Sequence, residues 1–261
     1  MTSSDRARQI VVTLAEIFCV LGTLIGVGVI GTPVSESAGG SLSADATLLA
    51  PAGPAFSIWS VIYLGLAAYT VWQWLPGPGS SELAERTGWM VAGSMVLNAV
   101  WLLVTQQGWV WISVVVILAL LLVLVRLALE VVSSDSGSTG PFGTWLVRAT
   151  VGLYLGWVSV ATFANIAAAL VGSGVPATGS AAVVWGLVGL VVAGALAVTL
   201  VRMPGVRWFV AAAVVWGLAW LVWGRLTDEP RSTVTAVAAA VVALAVVAAA
   251  LRAQRSDARS A

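Results

Sequence analysis

Residues 153–170 read LYLGWVSVATFANIAAAL, inside an apolar run long enough to cross a bilayer. The run carries Tyr154, Trp157, Thr162 and Asn165, whose polar groups lipid tails cannot satisfy. Such groups turn toward other helices or a cavity. Tyr154, Trp157 and Ala161 stand at i, i+3 and i+7, and Asn165 continues the same helical face. One aromatic-and-amide stripe among Val, Ala and Leu reads either as a ligand wall or as a tight helix contact sealed by an interhelical hydrogen bond.

The composition surrounding this stretch extends the reading to the whole chain. Of 261 residues, 60% are hydrophobic and 9% charged, against about 25% charged in soluble proteins. This is the composition of an integral membrane protein. The net charge of +1 gives no case for nucleic-acid binding. All twelve basic residues are Arg, and His is absent, which removes the commonest transition-metal ligand and the usual general base. Cys19 is the single cysteine, so intrachain disulfides, thiolate clusters and His-ligated haem are excluded. No metal site and no catalytic residues are expected, and whether the chain is an enzyme stays open. Of fourteen Trp, those at positions 72, 74, 89, 109, 111, 145, 185 and 223 fall near expected helix ends, where an interfacial aromatic belt accounts for them. Trp59, Trp101, Trp157, Trp216 and Trp220 lie deeper and call for packing or a ligand.

Hydrophobic runs predict eight spans: 9–31, 55–75, 88–106, 109–130, 146–172, 181–201, 207–224 and 232–251. Residues 1–8 and 253–261 read as polar tails. The basic start and the apolar first run admit a signal peptide, but the run exceeds an h-region and contains Glu16, so a retained helix is expected. Glu16 is costly in a membrane and is placed to snorkel or to pair with an Arg. Residues 32–54, TPVSESAGGSLSADATLLAPAGP, form a long loop with Glu36 and Asp45 and no basic residue, read as a lid or as a slack surface loop. Phe56, Trp59 and Tyr63 share a face of span two, and Asn98 and Trp101 share one of span three. Trp216, Trp220 and Trp223 form a second stripe on span seven, read as a helix interface. Span eight, mostly Ala and Val, is expected inside the bundle. In the loop 224–231, GRLTDEPR, the charges are expected to balance one another.

Alternating the spans from a cytoplasmic N-terminus puts ten Arg on the inner side and only Arg225 and Arg231 on the outer side. That bias predicts cytoplasmic termini in a cell membrane. At ~1.5 Å rise per residue, Trp59, Tyr63, Trp101 and Asn165 fall about 3–9 Å outward of the midplane, and Asn98 and Trp157 near it.

At these positions the chain resembles the TspO/MBR family, the tryptophan-rich sensory proteins related to the mitochondrial translocator protein. Pro54 ahead of FSIWSVIY, with Trp59 and Tyr63 four residues apart, is similar to the family's second helix. Leu97, Asn98 and Trp101 resemble its Leu-Asn-x-x-Trp, and Tyr154, Leu155, Trp157 and Asn165 its Tyr-Leu-x-Trp with a following Asn. The resemblance covers roughly residues 9–172. It implies an all-α membrane protein: a five-helix TspO-like bundle (9–175) plus a three-helix extension (176–252), as in the longer, eight-span bacterial branch.

It also implies a pocket under the first loop, walled by Trp59, Tyr63, Asn98, Trp101, Tyr154, Trp157 and Asn165. The ligand implied is flat and hydrophobic, a tetrapyrrole such as protoporphyrin, with no covalently held cofactor. The alternatives are transport of small hydrophobic or amphipathic molecules, and porphyrin photo-degradation. The partners expected are the bilayer, the hydrophobic ligand and a second copy in a homodimer. The chain departs from the pattern in Phe56, three rather than four residues before Trp59, in a first loop without Trp, and in Leu102 and Leu103 after Trp101.

Overall fold

A computed structural model describes residues 3–26, 40–134 and 139–260. The expected end of span one (27–31), the first part of the loop with Glu36, and residues 135–138 lie outside the described residues. The described chain is all-α: α1 (Ser3–Gly26), α2 (Ile58–Trp72), α3 (Glu82–Gln106), α4 (Val110–Ser133), α5 (Gly140–Gly172), α6 (Gly179–Leu200), α7 (Arg207–Thr227) and α8 (Thr233–Ser260). All eight, α2 counted with the 3-10 turn Gly53–Ser57 that leads into it, are long and apolar enough to cross a membrane. The fold is that of a multi-pass membrane protein.

Several helix ends differ from the spans read in the sequence. Helix α3 starts at Glu82 rather than 88, because Ser81 Oγ accepts the Ala84 N–H at 3.2 Å and Glu82 and Glu85 occupy the first turn. Helix α5 starts at Gly140 rather than 146, with Pro141 in its first turn. Helix α2 starts only at Ile58, so Phe56 sits in the preceding 3-10 turn. The two expected polar tails are largely helical. Asp5 and Arg8 are buried near the start of α1 and paired with each other at 3.3 Å, and Arg8 also donates to the Gly79 carbonyl. At the other terminus, Asp257 accepts from Arg207 at 2.7 Å and Gln254 from Trp208 at 3.2 Å, which fastens the end of α8.

Helix α5, 33 residues long, is the hub, touching α2, α4, α6 and α7. Helices α2 and α5 run antiparallel: Phe56, just ahead of α2, meets Trp157 at one end of the pair and Trp72 meets Gly143 at the other. Helices α1 and α3 are parallel and so close that a Cβ on Gly22 would lie 3.0 Å from Ala99 Cβ. Helices α5 and α7 are closer still, a Cβ on Gly156 falling 2.5 Å from the Val210 carbonyl oxygen. Small residues at such crossings let backbones approach, the usual device of membrane bundles.

Helix α8 corrects the expectation that its small residues put it inside. One face, with Ala236, Ala239, Val246 and Ala250, is buried, while Val234, Val237, Val241 and Leu244 are exposed. Among the described residues α8 packs chiefly on α6 and α7, so it has one face to bury. Most helix-end Trp side chains are exposed as an aromatic belt requires, but Trp72 is 3% exposed, because Gly143 leaves room for its indole.

Candidate functional site

The candidate residues converge from three helices, α2, α3 and α5, near the end of the bundle that carries loop 40–52. The Trp59 ring stacks on Tyr63, with centroids 5.3 Å apart and planes at 15°. It meets Tyr154 and Trp157 edge-on at 5.8 and 6.2 Å. Phe56 meets Trp157 from the other side at 5.8 Å. Edge-to-face and offset arrangements suit the ring quadrupole, so the cluster is a stable aromatic wall. The i, i+4 spacing on α2 and i, i+3 spacing on α5 bring these rings onto facing stripes.

Polar atoms tie this wall to α1, α3 and α4. Asn98 Nδ2 donates to Tyr63 OH at 2.9 Å and reaches Cys19 Sγ at 3.5 Å. The Tyr154 hydroxyl donates to the Ser94 carbonyl at 3.2 Å. Trp101 Nε1 donates to Asn165 Oδ1 at 2.8 Å, and Asn165 Nδ2 donates to Ser113 Oγ at 2.9 Å. Buried polar groups are normally paired in this way. Among the exceptions in the described residues are Trp157 Nε1, Asn98 Oδ1 and Glu16 Oε2, buried with no hydrogen-bond partner. Glu16 therefore does not snorkel clear of the bundle, and Arg8 is engaged with Asp5 rather than with it.

A cavity of about 40 Å³ lies beneath loop 40–52, bounded by Phe56, Trp101, Trp157 and Asn165 below and by Ser41, Leu42, Ser43, Thr47, Ala50 and Pro51 above. Three of the seven candidate residues thus line it. Trp59, Tyr63, Asn98 and Tyr154 stand behind them. The space suffices for a water or two, and is far below the ~300 Å³ of a drug-sized pocket. With the loop in this position the space is too small for a drug-sized ligand. On the other side of α5, a wider apolar groove of about 220 Å³ runs between α5 and α6, and Thr47 borders both spaces.

Sequence reasoning missed three contributors. Phe56 was noticed on the stripe but not assigned to the wall it completes. Ser113 gives no signal, since a lone Ser in an apolar helix ordinarily bonds its own backbone. Arg225 was read as part of a self-balancing outer loop. Instead it ends α7, 1% exposed, and donates to the carbonyls of Thr47 (3.0 Å), Ala44 (2.9 Å) and Pro230 (2.9 Å).

Eight membrane-crossing helices around an aromatic, amide-tethered site under a loop define a multi-pass membrane protein of the binding or transport kind. The chain belongs to the TSPO-like protein family, whose family model matches residues 10–251. The match runs through α6, α7 and most of α8. No curated protein and no solved structure matches the chain.

Proposed function

We propose that the protein is a receptor for a flat hydrophobic ligand, a tetrapyrrole such as a metal-free porphyrin, bound between the Trp59–Trp157 wall and the Trp101–Asn165 pair. The observation that carries this reading is Trp157. Its indole borders the cavity while its Nε1 is buried and unpartnered, leaving a donor for a ligand acceptor. Aromatic rings with a few placed polar groups suit a planar apolar guest. The absence of His argues for a metal-free ring over axially ligated haem. A ligand of this size requires the loop to lift, since the cavity is about 40 Å³ with the loop seated.

The ten-to-two Arg bias supports a cell-membrane location with both termini cytoplasmic. The test is a titration of purified protein with protoporphyrin, followed by Trp quenching. Wild type saturates, and Trp157→Ala, checked for intact folding, weakens binding about tenfold. Equal affinity in both contradicts the site.

A second reading, transport of small hydrophobic molecules, is favoured by the α5–α6 groove, which shares Thr47 with the cavity and offers a lateral route from the lipid. Gradient-dependent uptake into proteoliposomes that is lost in Glu16→Gln supports it, because ion-coupled carriers use intramembrane carboxylates.

A further inference from the structure

The loop over the cavity is held less by the helices of its own pocket than by the C-terminal extension. Arg225, at the last turn of α7, donates through Nη1 to the Thr47 carbonyl and through Nη2 to the Ala44 carbonyl. The Ala52 N–H donates to the Trp220 carbonyl at 3.2 Å, and Trp216 Nε1 donates to the Ala55 carbonyl at 2.9 Å. A Cβ on Gly224 would sit 3.4 Å from Ala52, and one on Gly189 of α6 would sit 2.6 Å from Leu49 Cδ1. The loop thus lies along a slot whose floor is Gly224 and Gly189 and whose fastenings at Ala44, Thr47 and Ala52 are on α7. Thr47, one of the fastened residues, roofs the Trp157 cavity together with Ser43, Ala50 and Pro51.

The character of these fastenings points to a latch. The hydrogen-bond acceptors that α7 reaches here are backbone carbonyls, so the grip depends chiefly on loop position, with the Asp45 carboxylate adding an electrostatic pull on Arg225. The charge-assisted bonds come from one buried guanidinium whose planar fork engages two loop carbonyls at once. Losing that one side chain frees the segment between Ala44 and Thr47, while Trp216 and Trp220 still hold its far end near Ala52 and Ala55.

We propose that α7 is the gate of the pocket, with Arg225 as the positioning residue that latches loop 40–52 over it. The inference rests on the binding-site reading above, and it supplies a role for the extension: helices outside the aromatic wall control access to it. Opening the latch exposes the face of α5 that carries Trp157, Ala161, Ala164 and Ala168.

The test reads loop opening without any ligand. In a Cys19→Ser background, Ala168→Cys places a thiol under the loop, and Ala128→Cys places one in the buried packing of α4 as a control. Both are reacted with a small water-soluble methanethiosulfonate. The latch predicts that Arg225→Gln raises the rate at position 168 by at least about tenfold with no change at 128, and that Arg225→Lys, with one ammonium in place of a fork, is intermediate. An unchanged rate at 168, or an equal rise at both positions, overturns the latch. Should Arg225→Gln fail to fold, Arg225→Lys decides: a rise at 168 alone supports the latch and no rise overturns it. Protoporphyrin titration of the same proteins separates the two proposals. Loop opening without saturable binding removes the ligand alone, and saturable binding with unchanged labelling removes the latch alone.

Discussion

Asn165 accepts the Trp101 indole N–H and donates to Ser113, joining α3, α4 and α5 through one amide. Asn165→Leu leaves the Trp101 donor without an acceptor in an apolar interior. The expected loss is about 1–2 kcal/mol, read as a lower unfolding temperature in detergent. Asp45 makes a pH prediction at the same scale. The hydrogen bond from the Ser43 hydroxyl holds its carboxyl below the ordinary carboxylate range, with Arg225 adding a smaller pull. A carboxyl depressed by folding stabilises above its unfolded value and loses that contribution as pH falls through the folded one. Thiol labelling under the loop, taken as the ratio to an Asp45→Asn protein at the same pH so that the falling thiolate fraction cancels, should be flat from neutral pH down to the carboxylate range and rise modestly below it.

The candidate residues were legible because an amide or an indole in a lipid-length apolar run has few solutions. Arg225 was not, since a basic residue at a helix end beside Asp228 and Glu229 looks like an interfacial charge until its three carbonyl partners are seen.

At the scale of elements, the α5–α7 crossing carries the most consequence. Gly156 lies against the Val210 carbonyl, so Gly156→Leu forces the helices apart. It should cost at least about 1–3 kcal/mol, and it should release the loop by moving α7. Gly93 of α3 is the contrast: nothing lies within 4 Å of a Cβ built there, and Gly93→Ala should leave the unfolding temperature unchanged or higher. Helix existence was readable from hydrophobic runs, and the ends were less so. The start of α3 depends on a Ser81 cap, and the extension of α8 past 251 depends on the Arg207–Asp257 pair. A span count cannot show either contact. The outward position of α8 was equally hidden, because Ala and Val serve a lipid-facing helix as well as a buried one.

Across the whole molecule, helix directions alternate through eight crossings, and both ends of the chain emerge on the side of Arg8, Arg148 and Arg207. Reporter fusions at the two termini should both report the cytoplasm. A periplasmic signal from either one contradicts the orientation. The opposite side carries the loop, the cavity and the α7 fastenings, so site and gate form one device at one end of the bundle.

The central claim is that a planar hydrophobic ligand sits beneath that loop. Photo-cross-linking with a diazirine-bearing porphyrin, mapped by mass spectrometry, tests it most directly. The account predicts adducts on loop 41–51 and on α5 around Trp157 and Ala161, suppressed by excess protoporphyrin. Adducts confined to exposed belt residues such as Trp185 and Trp223, and indifferent to competitor, would contradict it.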